Sequence, residues 1–139
     1  MPIFLENKII LKKCMSKDPL ESQPQIYLKL YYLIKELNEI SRNLPKHHKY
    51  VLGENILKLS WTCLDYVIEA NFYHSSQIKK EKISKLSLTF DKLKIRLRML
   101  EELKLISKKR FYFLQINYIK TIGEMIGGWS KWVLKIEDN

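Results

Sequence analysis

The chain has 139 residues, enough for one domain whose core needs no disulfide or metal staple. With 46% hydrophobic residues but only 4 Gly and 4 Pro, it favours long regular elements over a turn-rich β fold. Its formal net charge of +10 lies outside the magnitude of roughly 2–8 usual for a small soluble domain, and attracts polyanions or acidic protein surfaces.

Residues 1–23 read as a leader whose structure the pattern leaves open. Its first residues, Met1-Pro2-Ile3-Phe4-Leu5-Glu6, meet charge too early for a secretory signal. Ile9, Ile10 and Leu11 suit a short docking helix, and Pro19 and Pro24 break the stretch between it and the first long helix. That first helix is expected over about 25–43, with the stripe Tyr27, Leu30, Tyr31, Ile34, Leu37, Ser41 and Leu44. Asn43 and Pro45 end it. The second helix is expected over about 46–73, burying Leu52, Ile56, Leu59, Cys63, Tyr66, Val67 and Ala70. Gly53 within it marks a place where another helix crosses closely. His74, Ser75 and Ser76 make the next turn.

The third helix is expected over about 79–104, with Leu86, Phe90, Leu93, Leu97, Leu100 and Leu103 inward. The fourth begins after Ser107 as N-cap and runs to about Lys135, with Phe113, Ile116, Ile119, Ile122, Gly123 and Ile126 inward. Residues 137–139 form a tail. Four amphipathic helices with short connections specify an all-α, antiparallel up-down-up-down four-helix bundle over residues 24–136.

Catalytic chemistry finds no motif. His47, His48 and His74 have no Cys, Asp or Glu at ligand spacing, and there is neither a phosphate loop nor a nucleophile elbow. No metal or other cofactor is expected. The two cysteines, Cys14 and Cys63, do not form a disulfide scaffold, and Cys63 falls on an apolar stripe. This cysteine usage fits a reducing cytoplasm, where the protein is expected, and no apolar run approaches the length of a membrane-spanning helix.

The basic residues are more informative. The third helix carries Lys85, Lys92, Lys94, Arg96, Arg98 and Lys104, and Lys108, Lys109 and Arg110 open the fourth. Steps of four put Lys94 with Arg98, and Lys92 with Arg96, on adjacent faces. A solvated face explains most single charge runs. Clustering with arginines, which clamp phosphates bidentately, favours polyanion contact. The fourth helix also holds three of the four glycines, in Ile122-Gly123-Glu124-Met125-Ile126-Gly127-Gly128-Trp129. Gly123, Gly127 and Gly128 suit close packing against a bundle neighbour or another subunit. Trp129 and Trp132 are expected at an interface; Trp61, Tyr112 and Tyr118 are the other aromatics able to stack on bases.

Three segments carry a family likeness. Leu93-Lys94-Ile95-Arg96-Leu97-Arg98-Met99-Leu100, the glycine-tryptophan segment and Lys49-Tyr50-Val51-Leu52-Gly53 together resemble the Avd-like four-helix bundle proteins, accessory variability determinants of diversity-generating retroelements. The likeness covers about residues 25–135. It implies a homopentameric barrel that binds the retroelement's reverse transcriptase and the template RNA and its cDNA, without being a polymerase. Lys94 and Arg98 match the family's basic third-helix positions. The chain is similar, more distantly, to bundle proteins of ribosomal RNA intervening sequences, which would imply an RNA-binding or assembly role without a reverse transcriptase.

Overall fold

The computed structural model describes residues 25–138, with side chains described through Lys135. The leader, including its expected docking helix at residues 9–11, and Asn139 lie outside the described residues. Helix α1 is Gln25–Arg42. Helix α2 occupies residues 46–72, with a π turn at Lys49–Gly53. Helix α3 is Ser76–Glu102. Helix α4 occupies residues 108–138, with a second π turn at Gln115–Ile119. The described residues are therefore all-α, four helices with no strand.

Local chemistry places the ends. Ser107 caps α4, its Oγ accepting from the Arg110 N–H at 3.0 Å. Ser75 does the same for α3 through the Ile78 N–H at 3.4 Å, so α3 starts a turn earlier than Lys79. The Lys79 ammonium donates to the Ala70 carbonyl at 2.7 Å, placing a cation at the end of α2 where free carbonyls gather. At the end of α3, the Lys104 N–H bonds the Glu101 carbonyl and the Leu105 N–H bonds the Leu100 carbonyl. This closure needs a left-handed residue, and Lys104 supplies it at φ 60°.

The helices close a ring of seams: α1 on α2, α2 on α3, α3 on α4, and α4 back on α1. Leucines and isoleucines at three-and-four spacing fill the centre, with Leu30, Leu33, Leu37, Leu86, Leu93, Leu97, Leu100, Leu114 and Ile122 fully buried. Gly53 sits where α1 crosses. A Cβ there would lie 2.5 Å from Ser41 Oγ and 3.3 Å from Leu44 Cδ1, so the close crossing expected at Gly53 is present.

Several expectations are corrected. Phe113 and Ile116 are 44% and 50% exposed, and Leu114 is buried in their place. The π turn is the cause: it inserts one residue into α4, so a single 3.6-residue stripe cannot run through it. Leu103 is 49% exposed because α3 has already ended at Glu102. Tyr31 lies at the surface and Leu33 is buried instead. Helix α4 continues to Asp138, past the expected end at Lys135.

Candidate nucleic-acid interface

The candidate cations divide by what holds them. Arg96 turns toward α2: its Nε donates to Asn55 Oδ1 at 2.6 Å and a terminal nitrogen donates to the Lys92 carbonyl at 3.0 Å. Arg110 reaches α1 and pairs with Glu36 at 2.6 Å, and its Nε is buried without a hydrogen-bond partner among the described residues. Both arginines are committed to seams between helices. Tyr118 shares the second seam, its hydroxyl pKa pushed up by burial and then by Glu36. The sequence could not disclose these pairings, because Asn55 and Glu36 are remote along the chain.

Lys94 and Arg98 stay on the surface, one turn apart. Lys94 lies 3.0 Å from Asp91 and over the Phe90 ring at 5.5 Å. The Arg98 Nε is 3.9 Å from Glu102. Exposed pairs of this kind contribute about 0–1 kcal/mol, so a phosphate can displace either acid. The two cations line a groove of about 570 Å³ with Asp91, Ile95, Phe111 and Gln115. Its far wall was not foreseen. Phe111 and Gln115 come opposite Arg98 only because α4 packs beside α3, and no periodicity in either helix announces that register.

Lys85 pairs with Glu81 at 2.9 Å on the exposed side of α3; each raises or lowers the other as an ion pair does, Lys85 up and Glu81 down. Lys92 has no ion pair among the described residues. Beyond the end of α3, Lys104 and Lys108 border an opening they share with Glu101, Glu102, Leu105, Ile106 and Ser107. Lys108 and Lys109 are exposed in the first turn of α4. Cations there oppose the helix dipole, by about 0.3–1 kcal/mol each at low salt. No acid in that turn relieves them.

The glycine-tryptophan segment behaves differently from a tight seam. A Cβ at Gly127 or Gly128 would meet nothing within 4 Å, and one at Gly123 would meet only Phe90, at 3.9 Å. Close packing inside this chain therefore does not require these glycines, and what remains of the expectation is an interface between subunits. Trp129 is half-buried and packs against both the main core and the small cluster of Ala70, Ile83 and Val133. Trp132 is 50% exposed. Of the other aromatics, Trp61 and Tyr112 are exposed on α2 and α4.

Among the described residues no group of His, Cys, Asp and Glu is placed to hold a metal ion, and no helix is long and apolar enough to cross a membrane. No curated protein and no solved structure matches the chain. The bAvd-like family profile matches residues 25–133, from the start of α1 to the last core residue of α4. Basic third helix, glycine-rich fourth helix and four-helix core all fall inside that match, and the chain belongs to the bAvd-like family.

Proposed function

We propose that this protein is a non-enzymatic accessory protein of a diversity-generating retroelement, working in the cytoplasm. It holds template RNA and docks the reverse transcriptase during mutagenic cDNA synthesis. The observation that carries this reading is the α3–α4 groove of a bAvd-like chain, where the ion pairs of Lys94 and Arg98 are both with exposed acids. Lys92, Lys104, Lys108 and Lys109 extend the positive surface around it. Phosphates displacing Asp91 and Glu102 would gain two charge-assisted contacts, with Phe111 and Ile95 offering an apolar floor.

The bundle is antiparallel in this reading. Glu69 meets Lys82 while Asn55 meets Arg96, and Arg110 meets Glu36 while Lys29 meets Asn117, an order that supports it. Five copies form a barrel through the open glycines of α4, with Trp132 as an exposed anchor. At +10 per chain, the pentamer carries about +50, enough to steer RNA onto the surface.

The test is a salt titration of RNA binding with Lys94→Glu/Arg98→Glu. Each phosphate contact on a single strand contributes about 0.7 to the slope of log K against log salt, so losing two contacts lowers it by about 1.4. Reverse-transcriptase capture should fall with it, while the helical circular dichroism stays. Unchanged binding with an unchanged slope would reject the groove as the interface. A pentamer mass in native mass spectrometry is expected; a stable monomer at working concentration removes the barrel.

A further inference from the structure

The outer face of α2 is apolar and has nothing over it among the described residues. Trp61, Ile68 and Phe72 are exposed there, Phe72 by 72%. Steps of seven and four put the three on one side of the helix. Asp65 lies between them on the same side, and exposed Lys58 and Glu54 lie one and two turns before Trp61 on that side. Asp65 has no ion-pair partner among the described residues, whereas Glu69 one turn on pairs with Lys82 at 3.7 Å and also feels Lys85. Two like charges one turn apart weaken a helix by about 0.2–0.5 kcal/mol unless a cation joins them. Partial burial and Glu69 together push the Asp65 carboxyl pKa up, the sign expected of an acid short of a counter-charge.

We infer that residues 3–13 of this same chain cover the outer face of α2 at Trp61, Asp65, Ile68 and Phe72. Residues 1–24 precede α1 and contain two apolar runs, Ile3-Phe4-Leu5 and Ile9-Ile10-Leu11. The second run is bracketed by Lys8 on one side and Lys12-Lys13 on the other. Apolar residues flanked by cations match an apolar face that carries Asp65 and Glu69. The outer face of α3 and α4 also exposes apolar side chains, Ile95 and Ile116 among them, but Lys92, Lys94, Arg98, Lys108 and Lys109 around it repel Lys8, Lys12 and Lys13. Three acids, Glu54, Asp65 and Glu69, against Lys58 on α2 itself favour a cationic segment over a polyanion there.

Reach does not limit the placement. Leu11 is tethered to Gln25 by chain that extends up to about 46 Å. Glu54–Phe72, against which α1 packs, is only about 28 Å long. The placement does not depend on the nucleic-acid reading, since the groove lies on the other two helices.

The chain carries its own labelling site for the test. Cys14 borders the segment, whereas Cys63 is fully buried with its thiol pKa pushed up to about 12 by burial and does not take a thiol reagent in the folded protein. A nitroxide on Cys14 of the full chain, with isoleucine methyl groups observed by NMR, is expected to broaden Ile68 severalfold and leave Ile95 and Ile116 sharp. Asp65→Lys should return the Ile68 signal. In the unlabelled chain, Lys12→Glu with Lys13→Glu should shift the Ile68 methyl resonance, which covers the case of a label that itself blocks docking.

An Ile68 signal unmoved in both experiments overturns the inference. So does broadening of Ile95 or Ile116 in place of Ile68. Mixing spin-labelled chains with methyl-labelled chains that carry no nitroxide decides the last alternative: Ile68 of the nitroxide-free chains should stay sharp, and its broadening in the mixture assigns the face to a second copy and rejects the intrachain placement.

Discussion

Gly53 in α2 and the glycines of α4 make opposite use of the same residue. Gly53 stands alone in its helix, and its missing side chain is what lets α1 approach. Gly127 and Gly128 stand together and face open space. Neither group serves a left-handed turn, because the one described residue at positive φ is Lys104. Glycine density along a chain therefore does not locate its tightest crossing. Here the crowded glycine is the isolated one, and the clustered ones leave a bare strip on the surface, where another subunit would have to supply the reason for them.

The largest effect should come from closing the crossing. In Gly53→Ala the new Cβ collides with Ser41 Oγ and crowds the Leu44 methyl and Ser41 Cβ, all on buried side chains. Overpacking of this kind costs about 1–3 kcal/mol, more than the roughly 1 kcal/mol of helix propensity that alanine returns. Urea denaturation should give a lower midpoint and Tm should fall by several degrees. A midpoint equal to the parent's would mean that α1 does not approach as closely as described.

Gly127→Ala and Gly128→Ala should go the other way. Each gains about 1 kcal/mol of helix stability, because nothing stands within 4 Å of the added carbon. The same substitutions sharpen the question of assembly. A chain that becomes more stable but loses its oligomer in sedimentation has used the bare strip as an interface; one that keeps its oligomer has not.

Lys104→Gly should stabilise by up to about 1 kcal/mol, since the closing turn of α3 holds a residue with a Cβ where glycine fits without strain. The cation is lost at the same time. RNA binding should therefore weaken while Tm rises, a split that a purely structural lysine would not produce.

The smallest effect at neutral pH concerns Cys63, deep in the core. The buried thiol is raised from 9.0 to about 12, so the folded state favours its neutral form. That contribution is fully present below pH 9 and is lost as pH rises toward about 12, because the unfolded chain ionises first. At neutral pH a thiol reagent should reach Cys63 only through opening of the bundle. Gly53→Ala should speed that reaction and Gly128→Ala should slow it.

Much of the fold was legible because helices report locally. The stripe from Leu86 to Leu100 is buried as its spacing implies, and Ser107 caps the helix it precedes. The stripe in α4 misled at Phe113 and Ile116, since a π turn advances the register by one residue without any mark in the periodicity. The candidate site was legible in part. Lys94 and Arg98 share an exposed face, as their step of four implies, but Arg96 and Arg110 were indistinguishable from them until Asn55 and Glu36 arrived from other helices.

The amino-acid sequence by itself determined four helices, their inward stripes and a strong positive charge, because each depends on neighbours three or four residues apart or on composition alone. Only the tertiary structure decided which glycine is crowded and which cations are spent on seams. It also decided that Phe111 and Gln115 line one groove with Lys94 and Arg98. Those outcomes depend on residues remote in the chain meeting at set distances, and no local period encodes them.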